Sequence, residues 1–246
     1  QERSWEKESD LMYGYMPMYY FDPTYILILI GVLLSMGASA KLNATYGRYS
    51  SVASRCGMTG AQAAQRILQS QGIYDVTVRH VSGRLTDHYD PRSKTVNLSD
   101  AVYGSTSIAA IGVAAHECGH AIQHNINYAP LNIRSAIVPV ANIGSSLSWP
   151  IFLLGLILSI PALTTAGIVL FSLAVLFQLV TLPVEFNASS RALKMLESTG
   201  ILSHEENAGA KKVLTAAALT YVAALASSIL QLLRLIILSG GRRRDD

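Results

Sequence analysis

The sequence predicts a mainly α-helical membrane protein with four transmembrane helices and one small α+β subdomain after the first of them. Three observations predict this: a charge-free block too long for a soluble domain, an apolar segment on either side of it, and an intervening stretch that mixes helical and alternating periodicity. Charged residues make up only 14% of the 246, against about 25% in an ordinary soluble domain. From Ser135 to Val184, 50 consecutive residues contain no Asp, Glu, Lys, Arg or His. A spanning helix takes about 20 apolar residues, so this block holds two spans and a tight turn. SIPALTT, residues 159–165, supplies the turn: Pro161 breaks the helix and the threonines are expected to cap the next one.

The first span is expected at 23–41, around the core YILILIGVLL. An acidic, tyrosine-rich stretch rather than a basic one precedes it, so it reads as a retained span rather than a signal peptide. Tyr13, Tyr15, Tyr19, Tyr20 and Tyr25 look like an interfacial belt before it, and Gln1 is not an initiator, so an upstream start is expected. KLNATYGRYSSVASR extends that helix out of the bilayer. TGAQAAQRILQSQG, residues 59–72, is a compact helix: Thr59 and Gln62 make a capping-box pattern, Ala61, Ala64, Ile67 and Leu68 share a face, and Gly72 closes it. YDVTVRHV alternates like a strand, SGRLTDHYDPRS is turn-rich, and KTVNLS is a second short strand. Residues 106–124 form the next helix. The segments are then 1–22, an N-terminal juxtamembrane stretch; 23–41, span one; 42–135, the α+β subdomain; 138–184, a hairpin of spans two and three; 185–212, a polar helix and loop; 213–238, span four, with small residues suited to close helix packing; and 239–246, a basic tail suited to lipid headgroups. A net charge of +3 is too small to imply nucleic acid. Cys56 and Cys118 give no disulfide framework and suggest a reduced compartment.

The chemistry concentrates in VAAHECGHAIQHN, residues 113–125, which holds three of the six histidines. His116 and His120 lie four apart, on one helix face one turn from each other, so two imidazoles can reach one tetrahedral metal. Glu117 is offset from both, placed for a water rather than the metal. This is the H-E-x-x-H pattern, with zinc polarising the water and Glu117 as general base. The apolar run entering the motif implies burial, where imidazoles and a carboxylate need partners, and Gly119 suggests close packing. His124 reads as a packed or solvated histidine, and Cys118 as a small buried thiol. A third ligand is usual in catalytic zinc sites; candidates are His80, His88, His204 and the acidic residues. A hairpin returns the chain to the compartment it left, and the first charge on re-emergence is Glu185, in LPVEFNASSRALKMLES, with Ser189 and Ala192 on its face. A glutamate favoured by the helix dipole is the competing account of it. Glu197, Glu205 and Glu206 read as solvated charges.

HECGH, a two-span hairpin and then PVEFNASSRAL resemble the YugP-like neutral zinc metallopeptidase family of bacterial membranes. YFDPTY, TGAQAAQRIL, DHYDPRSKTVNLS and LTAAALTYVAALASSILQLLRL extend the likeness to nearly everything after residue 20. The family is in turn similar to HtpX-like and prenyl-protein-processing membrane proteases. The resemblance implies a zincin-like catalytic subdomain with one Zn2+ on His116, His120 and Glu185, and with Glu117 as base. It also implies that KTVNLS is an edge strand to which an extended peptide substrate adds. Where the HtpX-like enzymes have an aspartate in E-x-x-A-D, this chain has Ser189, with Asn187 nearby, which leaves open what orients the ligand histidine.

The expected protein is therefore a multi-pass membrane zinc endopeptidase acting on peptide or protein substrates at the bilayer, with or without a partner that presents them. Lys41, Arg48, Arg55, Arg134, Arg191, Lys194, Lys211 and Lys212 flank the spans on the catalytic side, which favours the cytoplasm. Two rival readings are a site-2-type protease with its H-E-x-x-H helix inside the bilayer, and a metal-transport or scaffold protein that needs no Glu117.

Overall fold

The structure is a computed structural model that describes residues 22–241. The expected juxtamembrane stretch with Tyr13, Tyr15, Tyr19 and Tyr20, and the tail from Arg242, lie outside the described residues. The element order is α1 (Tyr25–Ser50), α2 (Gly60–Ser70), β1 (Thr77–Val81), β2 (His88–Asp90), β3 (Thr95–Ser99), α3 (Ile108–Asn125), α4 (Ala129–Ile157), α5 (Pro161–Ser198) and α6 (His204–Gly241). Among the described residues, α1, α4, α5 and α6 are long and apolar enough to cross a membrane. Their outward apolar side chains stay uncovered, for instance Met36 at 63% and Ile157 at 76% exposed, as lipid-facing surfaces require.

Local sequence dictates the helix ends. Thr59 and Gln62 form the reciprocal capping box that starts α2. Gly72, at φ +69°, lets the chain reverse so that Ile73 N–H returns to the Leu68 carbonyl at 3.0 Å. Ser107 caps α3, its hydroxyl accepting from Ala110 N–H at 3.2 Å. The hairpin turns at Leu158–Ile160, and Pro161 opens α5 at a position where its missing N–H costs nothing. The expected threonine cap is not made. Ile160 occupies the cap position, and Thr164 is already helical, its hydroxyl bonding back to the Pro161 carbonyl at 2.8 Å. Gly155 and Gly167 let α4 and α5 touch: a Cβ at Gly167 would stand 2.8 Å from the Phe152 backbone.

The subdomain builds its core on one face of α2, the inner side of the sheet and α3. Ala61, Ala64, Ile67 and Leu68 are buried together with Val96, Leu98, Ile111 and Ala114. Each large side chain so buried contributes about 1.5–3 kcal/mol. The sheet order is β1-β3-β2, with β1 parallel and β2 antiparallel to β3. This overturns the expectation for KTVNLS: β3 is the central strand, buried along its whole length, with both edges already paired. The edge strands are β1 and β2, and the one facing the histidine-bearing cavity is β2, which the turn-rich reading of residues 82–93 passed over. It is only three residues long, and the turn after it is held by the Asp90 carboxylate, which accepts from Arg92 N–H at 2.9 Å and Ser93 Oγ at 2.6 Å.

Glu206 is also corrected. It is buried, accepting from Arg55 N–H at 2.6 Å and Ser203 N–H at 2.9 Å, and so ties the chain after α1 to the start of α6. Glu197 and Glu205 are exposed. Cys118 is completely buried beside the Ala64 carbonyl, whereas Cys56 is exposed. Burial pushes the Cys118 thiol well above its ordinary pKa, and thiolate is the reactive form. Iodoacetamide is therefore expected to add one label to the native protein and two after guanidinium unfolding, counted by intact mass.

Candidate metal centre

The site forms where α3 lies against α5. At their closest approach a Cβ on Gly119 would stand 2.5 Å from the Ala188 carbonyl oxygen, so the absence of a side chain there sets the helix separation. That contact brings Glu185, one turn before Ala188 on α5, over the face of α3 that carries both histidines. His116 Nε2 lies 3.2 Å and His120 Nε2 3.6 Å from the same oxygen, Glu185 Oε2. The three donor atoms lie within 4.8 Å of one another, a grouping that can hold a metal ion. Their side chains are 15%, 12% and 4% exposed.

The other ring nitrogens have partners of their own. His116 Nδ1 is 3.1 Å from Ser189 Oγ, so Ser189 meets this imidazole directly. His120 Nδ1 is 3.0 Å from Gln123 Oε1. Gln123 is fully buried and donates through Nε2 to the Val184 carbonyl at 2.8 Å and Asn187 Oδ1 at 3.0 Å. Asn187 Oδ1 also accepts from Arg191 Nε at 2.7 Å. Each imidazole thus gives its Nδ1 to an orienting neighbour and turns its Nε2 to the shared point. That is the donor arrangement a metal-binding histidine pair needs, and it fits zinc, which takes imidazole nitrogen and carboxylate oxygen. Burial opposes a charge on His120, but its hydrogen bond to Glu185 and the charges of Glu117 and Glu185 prevail and raise its pKa above the ordinary imidazole value. A metal needs the neutral ring, so protons compete for this position at a higher pH than for a free histidine.

Glu117 is buried at 8% exposed and lines a cavity of about 420 Å³ together with His116, His120, Glu185, Arg134 and Tyr221. Arg134 Nη1 is 3.9 Å from Glu185 Oε1. The opposite wall is the edge strand, through His88 and Tyr89. His124 lies outside the metal grouping and pairs through Nδ1 with Tyr89 Oη at 2.8 Å. Burial, then the charges of Asp75 and Asp90, push the Tyr89 phenol up to about 12, so it stays protonated at neutral pH. The other histidines weighed as ligands are engaged elsewhere: His80 with Asp100 at 2.6 Å, His88 with Asn97 at 3.2 Å and His204 with Glu197 at 3.6 Å.

Sequence reasoning missed Gln123, Arg134 and Tyr221. Gln123 had a signal, since it lies three residues after His120 on the same face; the other two are brought in by helix packing alone. Removing an orienting partner typically costs 10–100-fold in metal affinity. Ser189→Ala and Gln123→Leu are each expected to weaken zinc binding by about that factor, measured by competition with a chromogenic chelator, without unfolding the protein.

A family model described as "Putative neutral zinc metallopeptidase" matches residues 24–240. The protein named "Putative membrane protease YugP" of Bacillus subtilis (strain 168) is 49% identical over 215 residues, 87% of this chain and 96% of that protein. No solved structure matches the chain. With the family model covering all but the two ends, the chain belongs to the family described as putative neutral zinc metallopeptidases.

Proposed function

We propose that the protein is a membrane-anchored zinc endopeptidase in which His116, His120 and Glu185 hold one Zn2+ and Glu117 is the general base. The observation that carries this reading is the convergence of two Nε2 atoms on Glu185 Oε2 beside a second, non-converging glutamate, Glu117, in the same cavity. Zinc bound there supplies a Lewis acid that acidifies water and polarises a peptide carbonyl. Glu117 removes the proton of the attacking water and returns it to the departing amine. Arg134 and Tyr221 are the donors in the cavity for the carbonyl oxygen as it gains charge. An extended substrate lies along β2, whose outer edge is unpaired among the described residues, and main-chain hydrogen bonds position it.

The four membrane-capable helices and the membrane-protease relative support membrane-associated substrates. The basic residues flanking the spans support a cytoplasmic site. α3 is not among the helices long and apolar enough to span, which weighs against the site-2-type reading. The test is cleavage of unstructured and membrane-anchored peptides by the purified protein in lipid. Cleavage is expected to cease with 1,10-phenanthroline and return on stoichiometric zinc. Zinc retention with no hydrolysis of any of these would favour a transport or scaffold protein.

A further inference from the structure

We propose that the groove between α1 and α6 is a binding site for the phosphate headgroup of an anionic phospholipid. The two helices run antiparallel along their whole length. Arg234 meets Thr24 at one end at 3.1 Å, Ser227 Oγ donates to the Gly31 carbonyl at 2.8 Å, and Gly209 receives the Tyr49 ring at the other end. Toward the Tyr49 end both helices line a cavity of about 630 Å³, within the range of small-ligand sites. Four cations line it: Lys41 and Arg48 from α1, and Lys211 and Lys212 from α6. None of its ten lining residues is acidic.

The nearby carboxylates are committed elsewhere. Glu205 pairs with Arg55, and Glu206 binds backbone N–H groups. Among the described residues, Lys41, Lys211 and Lys212 have no carboxylate partner. Four like charges around one cavity repel one another unless an anion joins them, and the hydroxyls of Thr45 and Thr215 add neutral hydrogen-bonding groups for phosphate oxygens.

Placement selects a lipid over a soluble anion. Lys41 is the first charge after the uncharged run 23–40, and Lys211 and Lys212 immediately precede the uncharged run 213–233. All three therefore stand at ends of uncharged helix, in the zone where it gives way to water, and basic pockets between spans in that zone take anionic headgroups. Ile30 and Leu34, eleven and seven residues before Lys41 and so on its helix face, are 40% and 45% exposed. They continue the groove into the bilayer as a path for acyl chains. Lipid binding in this groove requires no peptide hydrolysis.

The experiment reconstitutes the full chain in nanodiscs of equimolar phosphatidylglycerol and phosphatidylcholine, then counts retained lipids by native mass spectrometry after detergent release. Wild type is expected to retain phosphatidylglycerol preferentially. The combined Lys41→Gln, Arg48→Gln, Lys211→Gln and Lys212→Gln variant is expected to lose at least about tenfold of that preference. A second measurement needs no variant: a photoactivatable phosphatidylglycerol analogue should crosslink wild type in the Ile30–Arg48 and Ala208–Ala216 segments. Unchanged preference in the variant, crosslinks confined to other helices, or displacement of the lipid by millimolar inorganic phosphate would each overturn the proposal.

Discussion

Glu117→Gln is expected to keep one zinc per chain while lowering the cleavage rate by about 10²–10⁴-fold, the usual worth of a positioned proton acceptor. The substitution preserves shape and removes only the ability to take a proton. Glu117 has no part in the convergence on Glu185 Oε2, so metal content is expected to stay. The carboxylate is buried at 8% exposed, in a cavity it shares with both histidines, so no bulk base replaces it. The measurement pairs zinc stoichiometry with kcat on the peptide that wild type cuts best. Wild-type kcat in the variant would remove the base from the mechanism and leave the cluster as a binding site only.

What the sequence disclosed about this site follows from the range of the forces involved. The His116–His120 pair and the capping box at Thr59 depend on residues three and four apart, so helical periodicity exposes them. Glu185 lies 65 residues beyond His120 and became readable because an uncharged hairpin has only one way to return its ends to the same compartment. The position of β3 was not readable in this way. Strand order is set by which neighbour a strand pairs with, and β2, the residues His88, Tyr89 and Asp90, is too short to show any period. Gln123 was overlooked because His124 beside it looked more chemical. Yet Gln123 is the residue that holds the His120 ring, while His124 is satisfied by Tyr89. Tyr221 and Arg134 come from different spans, and only the packing of α4 and α6 around α5 brings them to the cavity.

Glu185→Ala should deplete bound zinc further than any orienting-partner variant, beyond the roughly 10–100-fold loss expected for Ser189→Ala. It removes one of three protein donors rather than the neighbour of one. The same change also frees Arg134, whose Nη1 lies 3.9 Å from Glu185 Oε1 and whose Nε is buried without a partner. Removing the carboxylate leaves the partly buried Arg134 without its partner, so zinc loss in the alanine variant can reflect a loosened fold. Glu185→Gln separates the two effects, because it keeps the side-chain volume and a hydrogen-bond acceptor for Arg134 while removing the negative charge that a dication requires. Zinc is expected to be lost from both variants, with the melting temperature of the metal-free protein lowered more by alanine than by glutamine. His80→Ala, His88→Ala and His204→Ala, whose rings have partners away from the cluster, should retain stoichiometric zinc. Full occupancy and affinity in Glu185→Gln would remove this residue from the ligand set, and zinc loss in one of the three histidine variants would name its replacement.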